Sequence, residues 1–113
     1  MSQGSFFETF DRQIEDTSLD AYRRIWPTLP QRERAVFLSL CDYCREHEDA
    51  TGGELAAYMD WPVTSTRPRL TSLEQRGWIV KTPARSSRIP VEGRCHGYQP
   101  NVPRQAVARL RGL

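Results

Sequence analysis

The stretch TGGELAAYMDWPVTSTRPRLTSLEQRGWIVK, residues 51–81, carries the local signals that decide the fold of this chain. It begins with a capping box, in which the Thr51 hydroxyl accepts a hydrogen bond from the backbone three residues on and the Glu54 carboxylate reaches back. A short helix is expected to follow. The run Asp60-Trp61-Pro62-Val63 interrupts that helix within four residues.

A second helix is predicted directly after this break. Thr64 or Ser65 is suited to cap it, and Gly77 is suited to the left-handed residue that ends it after Arg76. Two helices joined by so short a turn must cross steeply. The sequence therefore predicts a helix-turn-helix arrangement.

The helix predicted over residues 64–76 has two different sides. At 100° per residue Thr66, Leu70 and Leu73 share one side and are expected to face the core. Arginine can pair with guanine, glutamine with adenine, and hydroxyls with phosphate. The other side carries hydroxyl, guanidinium and amide groups, together with Pro68, and has no carboxylate. Its residues are Thr64, Ser65, Arg67, Pro68, Arg69, Thr71, Ser72, Gln75 and Arg76. With Ser65 as the cap, Pro68 would be the third helical residue, where no N–H is needed.

The helical pattern ends at Gly77, and a hairpin is expected beyond it. Trp78–Lys81 is rich in β-branched and aromatic residues, residues 82–94 contain turn formers, and Cys95–Gln99 can return as the partner strand. Four basic side chains in this region are expected to bind the phosphate backbone without reading sequence: Lys81, Arg85, Arg88 and Arg94.

Helical segments are also expected on both sides of this region. One is predicted from Ser18 to about Trp26, and one begins at Thr28-Leu29-Pro30 and continues to about His47. A last short helix is expected over residues 104–110. Residues 1–16 mix aromatic and acidic side chains and could form an amphipathic arm.

The chain resembles the winged helix-turn-helix superfamily, and is most similar to small phage- and prophage-encoded members. The matching residues are Thr51, Glu54, Leu55, Ala56, Ser65, Arg67, Arg69, Leu70, Leu73 and Gly77. The resemblance implies that the helix beginning at Thr64 enters the major groove and that the hairpin over residues 78–99 is the wing. The expected fold is α+β, mostly α, with a three-helix core, a two-stranded β-hairpin wing, and short N- and C-terminal helices. The arm would cover residues 1–16, the winged helix 17–99 and a C-terminal tail 100–113.

Charge is strongly divided along the chain, although the formal net charge is only +2. Residues 1–63 carry a net charge of −6 and residues 64–113 a net charge of +8. A basic half of this kind is typical of a surface that meets a polyanion.

A length of 113 residues fits one domain. The N-terminus lacks a secretory pattern, no apolar run is long enough to span a membrane, and three cysteines suggest no disulfide framework. A cytoplasmic location is therefore expected.

Other kinds of site find less support in the sequence. A metal site could be formed by Cys41, Cys44 and His47, whose spacing suits metal ligands, together with Cys95 and His96. The first two cysteines, however, lie among core positions of a helix, where free cysteine packs as a small apolar residue. No phosphate-binding loop or nucleophile motif indicates an enzyme. The residues Trp26, Trp61 and Trp78 could stack on single-stranded bases, although packing explains them more simply.

The expected function is sequence-specific binding of double-stranded DNA without a cofactor, as a phage-type transcription regulator or an accessory factor in replication or excision. The alternative is a protein–protein adaptor that does not bind DNA. A homodimer and a protein partner bound through the N-terminal arm are both compatible with the sequence. The proposed DNA contacts are Thr64, Ser65, Arg67, Arg69, Ser72, Gln75, Arg76, Lys81, Arg85, Arg88 and Arg94.

Overall fold

The computed structural model describes residues 20–112, so the expected arm over residues 1–16 lies outside the described part of the chain. The described residues form a mostly helical α+β structure with five helices and small antiparallel sheets. The contacts divide the chain into two units, of which Pro30–Val102 contains all the sites discussed below. None of the helices within residues 20–112 is both long and apolar enough to cross a membrane.

The first unit combines both ends of the chain. Helix α1, described over residues 20–25, continues into a 3-10 turn at Trp26–Thr28, as the stop signal at Pro27 predicts. Helix α5 covers Arg104–Arg111, which confirms the predicted C-terminal helix. Its buried residues Ala106, Val107 and Leu110 follow a helical period, while Arg104 and Arg109 are exposed.

The second unit begins with helix α2, Gln31–Tyr43. The sequence places Thr28 or Leu29 in the cap region and Pro30 in the first turn, but Pro30 itself is the N-cap, because with φ −55° and ψ 145° it is extended and leads directly into the first helical residue. The helix ends four residues before the expected His47, in a series of turns. Val36, Phe37 and Leu40 are fully buried, and the Phe37 ring meets that of Trp78 edge-on.

The helix pair that follows confirms most of the predicted signals. Helix α3, Gly52–Met59, begins with the complete Thr51–Glu54 capping box. It ends at Asp60, which adopts the left-handed conformation with φ 57°. Helix α4, Val63–Gln75, packs against both α2 and α3. Gly77 has φ 81° and allows the chain to leave α4, as expected.

The predicted start of α4 was wrong, because Pro62 is the N-cap and Val63 the first helical residue. Pro68 is therefore the sixth residue of the helix rather than the third. At that position it has no N–H to donate to the carbonyl of Thr64, so α4 lacks one interior hydrogen bond. The expectation that no backbone N–H is needed at Pro68 is therefore wrong.

Five short strands complete the second unit. Strands β1 (Ala50–Thr51), β5 (Gly97–Pro100) and β2 (Ile79–Lys81) form an antiparallel sheet in the order β1-β5-β2. Between β2 and β5 the chain forms a separate hairpin from β3 (Arg85–Ser86) and β4 (Arg94–Cys95). A 3-10 turn at Pro90–Glu92 lies between these two strands. Strand β1 and the second hairpin were not expected, since two-residue strands carry no usable periodicity.

Candidate nucleic-acid interface

The two sides of helix α4 have the polarity that the sequence predicts. Thr66, Leu70 and Leu73 have no accessible surface and form part of the core. The opposite side carries exposed residues at helical spacing: Thr64, Arg67 and Pro68, Thr71, and Gln75. This exposed face, called here the α4 face, is free of carboxylates and offers hydroxyl, amide and guanidinium groups.

The remaining predicted residues of α4 flank this face. Ser65, Arg69 and Ser72 are half-buried. The Nε atom of Arg69 is buried and lacks a hydrogen-bond partner within residues 20–112. Arg76 is exposed, and its Nε lies 3.4 Å from a carboxylate oxygen of the buried Glu33 on α2. The structure therefore brings the predicted set together on one side of α4, while giving Arg76 a partner that the sequence did not indicate.

Glu54 is the centre of an ion-pair cluster that ties the β3–β4 hairpin to helix α3. Its side chain is only 1% exposed and accepts two hydrogen bonds from Arg85, at 2.8 and 2.7 Å. It also accepts from the backbone N–H of Arg88 at 2.6 Å and from that residue's guanidinium at 2.9 Å. Arg85 additionally pairs with Asp49 at 2.6 Å. One buried carboxylate thus serves both the helix cap and the hairpin.

Glu92 forms a second connection, at the start of α3. Its carboxylate accepts hydrogen bonds from the backbone N–H of Gly53 at 2.7 Å and from the hydroxyls of Thr51 and Ser87 at 2.5 Å each. Arg67 of α4 donates to the same carboxylate at 3.1 Å, with its own side chain 58% exposed. A carboxylate at a helix N-terminus is stabilised by the unpaired N–H groups and the helix dipole. Hairpin, α3 and α4 are therefore joined at one point.

Glu54 and Glu92 stay ionised although their side chains are buried. Burial by itself raises the pKa of Glu54, but the hydrogen bonds from Arg85, Arg88 and Thr51 outweigh it and lower the pKa to about 2. The pKa of Glu92 is likewise lowered, since hydrogen bonds from Ser87, Thr51, Gly53 and Arg67 overcome the effect of burial. The hydrogen bonds to Glu54, above all, raise the pKa of Arg85.

The four basic residues predicted for the hairpin fall into two groups. Lys81 and Arg94 are exposed, and the guanidinium of Arg94 contacts only a backbone oxygen, that of Ala84, in the hydrogen bonds described. Arg85 is 26% exposed and Arg88 42% exposed, and both hold carboxylate partners within the chain. Phosphate contact by these two arginines stays a prediction, although their present partners would compete with phosphate.

Sequence reasoning missed the acidic side of these clusters. The sequence explains Glu54 by the capping box alone and indicates no partner for Asp49 or Glu92. Their arginine partners lie 25 to 36 residues away in the chain. No local pattern links residues at such distances, and the only available signal was Glu92, a single acid in an otherwise basic loop.

The cysteine and histidine residues that invited a metal reading do not form a ligand set. Within residues 20–112 no three His, Cys, Asp or Glu side chains are grouped as metal ligands would be. Burial raises the pKa of the Cys44 thiol to about 11, and its sulfur lies 3.9 Å from the Tyr98 carbonyl oxygen. Burial also raises the pKa of Cys95. Both thiols are therefore protonated at neutral pH, which disfavours metal binding.

The three tryptophans differ in their surroundings. Trp26 and Trp78 are buried, with 5% and 3% of their surface exposed, so their rings are not available for stacking on bases. Trp61 is half-buried in the turn between α3 and α4, where its backbone N–H donates to the Ala56 carbonyl at 2.9 Å. Packing and chain reversal explain these residues without a ligand.

No family model, curated protein or solved structure matches this chain.

Proposed function

We propose that this protein is a sequence-specific double-stranded DNA-binding protein of winged-helix type. Helix α4 would read the major groove, and the β3–β4 hairpin would lie along the backbone. The observation that carries this proposal is the α4 face, on which four of the five exposed residues offer hydroxyl, amide or guanidinium groups and none carries a carboxylate. A biological role as a phage-type transcription regulator or accessory factor in replication or excision is part of the same proposal.

The order of elements supports a winged helix. Helix α2, strand β1, the α3–α4 pair and strands β2 and β5 follow one another along the chain, with the β3–β4 hairpin between the last two. In the sheet, β5 lies between β1 and β2. The helices before α4, the short turn that leads into it and the strands that follow it agree with what the sequence resemblance implies, with α4 as the second helix of the pair, whereas strand β1 adds to it. The hairpin lies in the connection between the last two strands of the sheet, where a wing is expected.

The distribution of charge supports contact with a polyanion. The carboxylates nearest the hairpin arginines are 1%, 6% and 7% exposed, at Glu54, Glu92 and Asp49. These negative charges are therefore buried, while the positive charges of Lys81 and Arg94 are exposed on the surface. Within this proposal Arg85 holds the β3–β4 hairpin in place, and the phosphate contacts come from Arg94 of that hairpin and from Lys81 at the end of β2.

The test is binding of the purified chain to a labelled random duplex of about 20 base pairs at ~50 and ~200 mM salt. We expect binding that weakens steeply with salt, followed by enrichment of one sequence on repeated selection. The double variant Lys81→Gln/Arg94→Gln should weaken binding to all sequences alike and reduce the salt slope by about two. The double variant Arg32→Gln/Arg45→Gln, which removes two exposed charges outside α4 and the hairpin, is the matched control.

Absence of duplex binding at ~50 mM salt would contradict the proposal, because phosphate contacts are strongest there. The protein–protein adaptor would then become the better reading of the fold. Binding without any sequence enrichment would retain DNA binding but remove the role of α4 in reading bases.

A further inference from the structure

A cleft lies at the end of α2 and against α3, outside the residues assigned to DNA. Its volume is about 480 Å³, within the range of roughly 300–1,000 Å³ that is common for binding pockets. Six residues line it: Asp42, Tyr43, Arg45, Glu46, His47 and Tyr58. We call it the acidic aromatic cleft.

Three rings form one wall of this cleft. The Tyr43 ring stacks on His47, with centroids 4.3 Å apart, and meets Tyr58 edge-on at 5.4 Å. Tyr58 is 54% exposed, which is unusual for a large aromatic side chain that contacts another ring. The exposed part of Tyr58 leaves a π surface available to a ligand.

The charge of the lining is negative on balance. Asp42 and Glu46 are acidic, and Arg45, the one basic residue of the lining, lies 4.0 Å from Asp42 with its side chain 71% exposed. An exposed pair at that distance is weak, so the arginine can move away at little cost. Anions and nucleic acid would be repelled by this lining, whereas a cation would gain from both the carboxylates and the ring surfaces.

We propose that the acidic aromatic cleft binds an arginine side chain presented by a basic segment of a partner protein. A planar guanidinium can stack on an exposed ring and at the same time pair with a carboxylate, which a compact ammonium group does less well. The same chemistry occurs on Tyr43 within the chain, where the Arg88 guanidinium lies 5.9 Å from the ring centroid and donates to the hydroxyl at 3.3 Å. The volume leaves room for residues beside the arginine.

Of the proposed DNA contacts, Arg88 touches this site through Tyr43, and the residues of α4 do not line it. None of its six lining residues belongs to α4 or to the β3–β4 hairpin. The protein could therefore hold DNA and a basic partner segment together, and loss of one activity need not affect the other.

The experiment is a titration of the ¹⁵N-labelled full chain with the peptide acetyl-Gly-Arg-Gly-Arg-Gly-amide, followed by amide chemical shifts. The citrulline version of the peptide keeps the shape and removes the charge. We expect saturable shifts concentrated at residues 42–47 and Tyr58 with the arginine peptide only. Tyr58→Ser should weaken binding about threefold or more, as expected for loss of an exposed cation–π contact.

Glu46→Gln and Glu48→Gln form the matched pair of charge variants. Both residues are exposed acids near the end of α2, but only Glu46 lines the cleft. Weaker peptide binding by Glu46→Gln with unchanged binding by Glu48→Gln supports the site. Equal binding of the citrulline peptide, or shifts located elsewhere, would overturn it. Concentration-dependent self-association that Tyr58→Ser abolishes would instead assign the cleft to a second copy of the chain.

Discussion

The carboxylate of Glu54 accepts the backbone N–H of Thr51 at 3.1 Å and two guanidinium N–H groups of Arg85 at 2.8 and 2.7 Å. One side chain therefore completes the N-terminal cap of α3 and fixes the β3–β4 hairpin. A buried charge is tolerated only where its pairing is this complete. The consequences of breaking the arrangement can be measured.

Replacing Arg85 by Met should destabilise the fold strongly. Glu54 and Asp49, whose side chains are 1% and 7% exposed, would lose their main partner. Removing one member of a buried pair costs about 3–5 kcal/mol in the free energy of unfolding. Urea unfolding followed by circular dichroism measures the change. Arg45→Met, which breaks the exposed pair with Asp42, should cost at most about 1 kcal/mol. Equal effects of the two variants would refute the special role of Arg85.

Stability should fall as the pH is lowered from about 5 towards 2. The pKa of Glu54 is about 2 in the folded chain against an ordinary value of 4.5, so its contribution is complete above the unfolded pKa and is lost as the pH falls through the folded one. The full effect is roughly 3 kcal/mol, and the lowered pKa of Glu92 acts in the same direction. Carbon NMR of the Glu54 carboxyl should show an inflection near pH 2. An inflection near 4.5 would exclude the proposed ion pairing.

Alanine at Gly53 should destabilise the protein, although helix propensity alone favours alanine. A Cβ atom there would lie 2.7 Å from the Glu92 carboxylate and would push it away from the N-terminus of α3. Overpacking of this kind costs about 1–3 kcal/mol. Thermal unfolding should show a lower Tm for Gly53→Ala and almost no change for Gly112→Ala, where the added Cβ would meet the Arg109 carbonyl oxygen at 3.5 Å. A raised Tm for Gly53→Ala would contradict the close approach of Glu92.

If α4 reads bases, Gln75→Ala and Arg69→Ala should each weaken binding to the selected sequence by about 1–3 kcal/mol and relax the preference at one position. Gln75 is exposed at the end of the α4 face, and Arg69 carries a buried Nε without a partner in the described chain. Competition binding with single-base variants of the selected duplex provides the measurement. A variant that weakens all sequences equally would show that its residue contacts phosphate instead.

Sequence patterns located the elements well where the signal is local. The capping box at Thr51, the left-handed Gly77 and the core side of α4 all depend on residues within one or two turns of each other. The start of α4 was misplaced because Thr64 and Ser65 are good caps in isolation, whereas Pro62 already provides the extended residue that precedes the helix. Strand β1 could not be predicted, because two residues pair with β5 only when the fold brings them together.

For the candidate site, too, local sequence patterns predicted one part and missed another. By itself the sequence determined which residue types occupy α4 and that its outward side lacks acids, because helical geometry alone sets which positions share a face. Only the tertiary structure decided which arginines have partners. It paired Arg85 and Arg88 with Glu54, and Arg67 with Glu92, and it left Lys81 and Arg94 on the surface. The physical reason is that an ion pair depends on distance in space and on burial, and neither quantity is encoded in the local order of residues.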